Sequence, residues 1–288
     1  MAVHRVREKI MKIKGTIGFF GGGRMAEALI KGIMQAGLFG AEQIVALDPD
    51  KERRRLLAGR YRINAVDNPA ALADCEIVVL AVKPQILPNL LRLNRSNFSN
   101  KQLVISIAAG VSLEVLESCL AGCDCRVIRV MPNTPALVME GASALCPGSL
   151  AAEEDLKAAA AIFDAVGKSV VLGEAQMDAV TGLSGSGPAY VFSFIEALID
   201  GGVKVGLGRD VAETLALQTV LGAVKLAIDT GGHPAELRAM VTSPGGTTIA
   251  GLHQMEKAGF QGIVMDAIEA ATRRSRELGE LAAQRVDT

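Results

Sequence analysis

Residues 16–26 read T-I-G-F-F-G-G-G-R-M-A, and no other segment limits the possible folds of this chain so strongly. A short apolar run (Ile17, Phe19, Phe20) enters a glycine cluster and leaves it in helix-forming sequence (Met25, Ala26, Glu27, Ala28, Leu29, Ile30). That is strand, tight turn and helix. Gly21-x-Gly23-x-x-Ala26 at the turn fits the dinucleotide fingerprint, with Ala in its third position. Gly21 permits the turn, Gly23 lets backbone approach a pyrophosphate, and Ala26 lets the helix pack closely on the strand. The helix N-terminus then offers free N–H groups and a positive dipole end to the phosphates. Without that context the same spacing is a plain Gly-rich turn.

The first half of the chain alternates. Val- and Ile-rich runs at 16–20, 43–47, 77–82, 103–108 and 126–130 read as strands buried on both faces. Helix-like segments at 24–36, 50–58, 85–93 and 113–120 separate them, with Asp50 and Ser112 placed as N-caps. A further strand, helix and strand are expected at 143–146, 152–166 and 169–172. This βαβ series predicts a parallel, doubly wound sheet. After about residue 174 the strand signals fade, and helical patterns follow at 188–200, 210–229, 234–240, 247–257 and 262–278. Several are apolar around much of their circumference, as with Ala189, Val191, Phe192, Phe194, Ile195, Leu198 and Ile199. A surface helix would show a cleaner polar face, so burial is expected, partly against a second subunit.

Composition narrows the partners. Half of the residues are hydrophobic, yet aromatics are 3% and Trp is absent, so Ala, Leu, Val and Gly must fill the interior. The formal net charge of −1, without a long basic run, argues against nucleic acid or an anionic membrane as partner. No unbroken apolar run of about 18 residues occurs, so no transmembrane helix is expected. Residues 1–10 are charged and lack an apolar stretch, unlike a signal peptide, and Met11 resembles a natural start. The five cysteines, an odd number without a secretory signal, read as reduced thiols of a cytoplasmic protein. Cys119-x3-Cys123-x-Cys125 has no His or further Cys at ligand spacing, so no metal is expected.

The cofactor candidates follow from the fingerprint. Asp48, ending the second strand in A-L-D-P-D, is placed to receive the adenosine ribose hydroxyls. An acid there repels a 2′-phosphate and favours NADH over NADPH. Lys51, Arg53, Arg54 and Arg55 can offset it, unless they form only a solvated helix face, so both cofactors stay open. Val82, Lys83 and Pro84 lie at another strand end that lines the ligand crevice, though Lys83 reads equally as a solvated lysine. Ala108, Ala109 and Gly110 end the next strand in small residues that a flat nicotinamide can approach, or that simply pack tightly.

Two Gly-rich segments in the helical half, 184–190 (S-G-S-G-P-A-Y) and 243–248 (S-P-G-G-T-T), each precede a strong helical pattern. Each therefore offers free N–H groups to an anion, a small carboxylate above all. The alternative is ordinary capping by Ser186 and Thr247. The histidines are His4, His233 and His253, and no triad or carboxylate pair stands out. Hydride transfer to an already electrophilic carbon, such as that of an imine, would need little beyond positioning.

These motifs converge. G-F-F-G-G-G-R-M-A, A-V-K-P-Q, S-I-A-A-G-V, R-V-M-P-N-T-P-A, G-L-S-G-S-G-P-A-Y-V-F and S-P-G-G-T-T-I occur in order from about Lys14 to Arg276. Together they resemble the pyrroline-5-carboxylate reductase family. The resemblance implies reduction of 1-pyrroline-5-carboxylate to L-proline with hydride from NADPH or NADH, the last step of proline synthesis. It implies an α/β fold: an N-terminal Rossmann-type doubly wound sheet (14–174) followed by an all-α dimerisation domain (175–288), behind an extension (1–13). It also implies a homodimer with the active site at its interface, and larger assemblies of dimers are common in the family.

By motif position, the resemblance assigns the pyrophosphate to Gly21, Gly22, Gly23, Arg24 and Met25, and the adenosine side to Asn68. Val82, Lys83 and Pro84 line the cleft, Ala108, Ala109 and Gly110 lie by the nicotinamide, and Met131, Pro132 and Asn133 shape the region around the ring. Gly246, Thr247 and Thr248 hold the substrate carboxylate with Ser184, and Thr248 bonds the imine nitrogen and relays a proton. Two departures bear on cofactor choice: Arg24 stands where the family usually has Asn, and Asp48 where many members have Ser, Thr or Asn-Arg.

Two rivals are weighed. A β-hydroxyacid dehydrogenase shares the plan but places a catalytic Lys on the helix after a similar Gly-x-Gly, with an Asn one turn on; P-A-Y-V-F-S-F-I-E has neither. A non-catalytic dinucleotide sensor would show a degraded substrate segment, whereas 243–248 is intact.

Overall fold

A computed structural model describes residues 13–284. The expectations for Met11 and the residues before it lie outside the described residues. Eight strands form one sheet in the order β3-β2-β1-β4-β5-β6-β7-β8. They are β1 Ile17–Phe20, β2 Ile44–Leu47, β3 Asn64–Val66, β4 Ile77–Leu80, β5 Leu103–Ser106, β6 Arg126–Met131, β7 Gly141–Pro147 and β8 Gly167–Val171. The run 3-2-1-4-5-6 is the Rossmann order, and its reversal between β1 and β4 is the topological switch point.

Strand period explains the core. Ile17, Phe19, Ile77 and Val79 face one hydrophobic cluster, while Phe20, Val78 and Leu80 face another. The first cluster is closed by α1 (Arg24–Gln35), α2 (Lys51–Tyr61) and α5 (Glu153–Asp164), through Leu29, Ile33, Leu57, Ile162 and Phe163. The second is closed by α3 (Leu87–Leu93) and α4 (Leu113–Cys119), through Leu91 and Leu116. Helices cover both faces, so the central strands read as continuous apolar runs.

Two expectations about the sheet need correction. The sheet is not parallel throughout, because β7 pairs antiparallel with β6. Only a 3-10 turn, Thr134–Val138, lies between them, too short for the crossover a parallel pair needs. The helix α5 supplies that crossover between β7 and β8, which are parallel. β3 was not expected: it has three residues at the sheet edge, none buried, so it carries no apolar signature. Asp50 and Ser112 cap as expected, accepting from the N–H groups of Glu52 and Val115.

Glu76 ties the start of β1 to β4: its Oε2 accepts from the Thr16 N–H at 2.6 Å and from the Thr16 hydroxyl at 2.8 Å. The backbone bond outweighs desolvation and holds the Glu76 carboxyl below its usual range. A depressed folded-state value makes its stabilisation present at neutral pH and lost as pH falls through that value. Glu76→Gln should therefore lower Tm at pH 7, and the difference from wild type should vanish in acid. A difference that stays constant with pH would exclude this ionisation as its source.

The described chain forms two compact units: one runs to Gly185 and takes in α11 from Ala270 onward, and the other is Ser186–Glu269. In the first, α6 (Met177–Val180) leads into a π-turn, Thr181–Gly185. The end of α11 (Phe260–Gln284) is anchored there by Ser275, whose Oγ donates to Asp178 at 2.7 Å. The second unit is helical: α7 (Gly187–Lys204), α8 (Arg209–Thr230), α9 (Pro234–Met240), α10 (Thr247–Lys257) and the start of α11.

Helices α7 and α8 expose many of their apolar residues. Phe192 is 65% exposed on α7, and Leu221 and Val224 are about half exposed on α8. By length and composition α8 is also apolar enough to cross a membrane, with a mean hydropathy of 1.5 over its best window. A search for unbroken apolar runs misses it because Thr214, Gln218, Thr219 and Lys225 interrupt the sequence.

Candidate functional site

Parallel register brings several strand ends to one edge. Phe20 lies level with both Leu47 and Leu80, and Leu80 with Ser106. The turns that follow, at 21–23, 48–50, 81–84 and 107–111, therefore gather at the switch point, where α/β sheets bind ligands. Most of the expected cofactor residues stand on these turns.

The three glycines of the loop differ in what requires them. Gly21 has φ +102°, and its N–H donates to the Leu47 carbonyl at 2.8 Å. A Cβ there would lie 2.7 Å from the Ala81 carbonyl oxygen. At Gly22 a Cβ would lie 2.8 Å from Leu57 Cδ1 and 3.2 Å from Asp48 Oδ2. Gly23 differs: its backbone is extended (φ −63°), and a Cβ would meet nothing within 4 Å. Nothing in the described chain requires glycine at position 23. The space beside it suits a close-approaching group, as a dinucleotide pyrophosphate needs. Gly23 is also the N-cap of α1 with no side-chain cap, so first-turn N–H groups stay available to phosphate.

Asp48 and the basic residues behind it are tied to this loop. Asp48 Oδ2 accepts from the Gly22 N–H at 2.9 Å, and Oδ1 from the Asp50 N–H at 2.9 Å. Arg53 donates through Nε to the Gly22 carbonyl and through Nη2 to the Gly23 carbonyl at 3.1 Å. Its Nη2 also meets Glu27 Oε2 at 2.6 Å, with both side chains at most 20% exposed. Burial opposes ionisation of Glu27, but bonds from Arg53, Tyr61 and Arg60 outweigh it and hold the carboxyl below its usual range. Arg54 donates to the carbonyls of Asp48 and Pro49 and pairs with Asp67. The solvated-face alternative therefore fits Lys51 and Arg55, which are exposed or paired with exposed Glu52, but not Arg53 and Arg54. Arg24 is exposed beside Gly23, with no hydrogen-bond or ion-pair partner among the described residues.

The remaining unit-one candidates differ in their freedom. Met25 and Val82 are half-buried, Lys83 is exposed, and Pro84 opens a 3-10 turn. Ala108 and Gly110 are buried and Ala109 is exposed. Gly110 has φ +75° and sits against α11, where a Cβ on Gly279 would come 3.1 Å from its oxygen. A cavity of about 440 Å³ opens between Pro84, Ala109 and Leu278. This wall from α11 had no signal in the sequence. Asn68 caps a 3-10 turn by accepting from the Ala70 N–H. Asn133 uses both ends of its amide, accepting from the Ala142 N–H at 2.8 Å and donating to the Ser184 carbonyl at 3.0 Å. Ser184 Oγ donates to the Val180 carbonyl.

Gly246, Thr247 and Thr248 lie in the second unit. Gly246 is the N-cap of α10 and Thr247 its first residue, and no side chain caps the helix. Ser186 stands at the N-cap of α7, also without a side-chain cap bond. Ordinary capping by Ser186 and Thr247, the bland alternative, is therefore absent. The first-turn N–H groups at Thr247 and Thr248 lack a side-chain acceptor, as an anion site needs.

The cysteines are free: Cys75, Cys119, Cys125 and Cys146 are buried and Cys123 half-buried. Burial pushes the Cys125 and Cys146 thiols up to about 11, so both stay protonated and act as packing groups. Among the described residues no cluster of His, Cys, Asp and Glu is arranged to hold a metal.

A fingerprint loop at the switch point of a Rossmann sheet, followed in the chain by a helical unit with an uncapped helix start, is the plan of a two-domain, dinucleotide-binding protein. Residues 174–278 match the family model described as pyrroline-5-carboxylate reductase dimerisation, and residues 16–110 match NADP oxidoreductase coenzyme F420-dependent. Pyrroline-5-carboxylate reductase of Methanosarcina acetivorans is 49% identical over 92% of this chain and 98% of its own. That of Arabidopsis thaliana is 44% identical over 92% and 95%. The solved Plasmodium falciparum pyrroline carboxylate reductase with NADP bound superposes with a TM-score of 0.83 at 36% identity, covering 92% of this chain and 98% of that one. The Coxiella burnetii pyrroline-5-carboxylate reductase gives 0.87 at 33%, covering 92% and 99%. The chain belongs to the pyrroline-5-carboxylate reductase family.

Proposed function

We propose that the protein reduces 1-pyrroline-5-carboxylate to L-proline with NAD(P)H, the final step of proline biosynthesis. The observation that carries this is the match over 92% of the chain to relatives of that name, together with the intact, uncapped segment at 243–248. NAD(P)H held at the site would supply the hydride for C5 of the pyrroline ring, with a proton taken up at the ring nitrogen.

The chain's own groups bind and orient. Backbone N–H groups at Gly23 and Arg24 receive the pyrophosphate, and Met25, Asn68, Asn133 and the turns at 82–84 and 108–110 line the cofactor's path. Gly246, Thr247 and Thr248 receive the substrate carboxylate, with Ser184 assisting. Thr248 bonds the imine nitrogen and relays its proton. Orientation supplies most of the acceleration, since the iminium carbon is already electrophilic.

The functional boundary is assigned near residue 174, where the match to the dimerisation model begins, with 14–174 as the cofactor domain and 175–288 as the dimerisation and substrate domain. The apolar faces of α7 and α8 are assigned to the interface of a homodimer, which can assemble further, rather than to a bilayer. The enzyme is placed in the cytoplasm, acting on a small molecule without a nucleic-acid partner, consistent with its net charge of −1.

Incubation with pyrroline-5-carboxylate and NADPH or NADH, followed by chiral chromatography, should show L-proline; intact dimeric enzyme that forms none refutes the assignment. Thr248→Ala should lower kcat by about 100-fold or more, in the range of a lost general acid, with the dissociation constant for cofactor unchanged. Unchanged turnover would remove Thr248 from the mechanism. The β-hydroxyacid dehydrogenase and sensor alternatives gain no specific observation.

A further inference from the structure

The glycine loop is gripped from two sides by residues that sequence reading assigned to other work. On one side, Asp48 takes the Gly22 N–H, and its second oxygen takes the Asp50 N–H. On the other, Arg53 takes the carbonyls of Gly22 and Gly23 and is itself held by Glu27. The peptide bonds here are trans, so each carbonyl and the following N–H point in opposite directions. With the Gly22 and Gly23 carbonyls turned to Arg53, the N–H groups of Gly23 and Arg24 must point away from it. A Cβ on Gly23 would meet nothing within 4 Å, so the backbone beside these amides leaves room for a ligand.

We propose that Asp48 and Arg53 are positioning residues that clamp the glycine loop and aim the Gly23 and Arg24 amides at the cofactor pyrophosphate. Asp48 on this view anchors the loop, each oxygen of its carboxylate accepting a backbone N–H. Arg53 is not a surface cation, and it contributes equally to binding of NADPH and NADH, because both carry the pyrophosphate. The inference rests on the nucleotide-binding reading above.

The test uses full-length Arg53→Met, with Asp48→Asn as the second variant should the first fail to fold. Hydrogen-exchange mass spectrometry on nucleotide-free protein follows the amides of Gly21 and Gly22, the two loop donors with acceptors in the chain. Exchange there should speed up in either variant. In Arg53→Met the dissociation constants for NADPH and NADH should rise by the same factor, about tenfold or more, as expected for losing charge-assisted hydrogen bonds. KM for the cofactor should rise with them, while kcat at saturating cofactor stays unchanged. A purely structural role would instead lower Tm and leave KM alone, and that result would overturn the proposal. So would unchanged loop exchange, or a loss confined to NADPH, which would make Arg53 a contact for the 2′-phosphate. The exchange experiment contains no nucleotide, so it reads the clamp by itself. Failure of the functional reading would show separately, as a wild type that binds neither nucleotide.

Discussion

Gly23→Val should fold as stably as wild type and lose nucleotide binding by about 100-fold or more, the equivalent of two charge-assisted hydrogen bonds. The backbone at Gly23 is extended, a conformation that valine adopts freely. Its side chain would meet no atom of the described chain, so folding has no reason to resist it. The same side chain would fill the space assigned to the pyrophosphate. Gly21→Val makes the contrast. There the backbone has φ +102°, and the new Cβ would lie 2.7 Å from a main-chain oxygen. That variant should lose about 1–3 kcal/mol to backbone strain alone, before the clash is counted. Comparing the two by thermal denaturation and by titration of cofactor fluorescence separates a glycine kept for the ligand from one kept for the fold. If Gly23→Val binds normally, the phosphate cradle has been placed wrongly.

The second large effect is expected on α8. Leu217, Leu221, Val224 and Ile228 follow at i, i+4, i+7 and i+11, one stripe along the helix, and are between 47% and 73% exposed. Within its own unit α8 buries only Ala212 and Ala216. So apolar a stripe in water belongs against another subunit, in keeping with the dimerisation match over 174–278. The double variant Leu221→Glu, Val224→Glu would place two charges in that interface, each opposed by several kcal/mol of desolvation. Light scattering should give a mass near the 30.1 kDa of one chain instead of twice that, and turnover should fall with it. A variant that remains dimeric and active would assign the stripe to something else.

What the sequence disclosed and what it hid have physical causes. The order strand, glycine turn, helix at 16–35 is local: apolar residues, positive φ and helix propensity all act within a few positions, so the pattern is visible in the chain itself. The all-round apolar character of α7 and α8 was legible for the same reason. Strand direction was not, because a two-residue period is the same in both senses, and β7 reversed unseen. β3 escaped because an edge strand without a buried residue has no pattern.

At the site, the spacing pointed to the glycines, but not to what holds them. Asp48 reaches Gly22 across 26 positions and Arg53 reaches it across 31, contacts made only by the folded sheet. Read in one dimension, Arg53 and Arg54 were two of a run of cations. In the fold one grips the loop and the other braces the turn at Asp48. The uncapped start of α10 could not be read either, because a Ser or Thr near a helix start suggests a cap whether or not its hydroxyl bonds.

The most direct measurement is the oxidation of NADPH and of NADH, followed in parallel by absorbance with 1-pyrroline-5-carboxylate as substrate. The expected result is turnover with at least one cofactor, dependent on the imine and yielding L-proline. No turnover with either, from dimeric protein that still binds nucleotide, would contradict the assignment as a pyrroline-5-carboxylate-reducing enzyme.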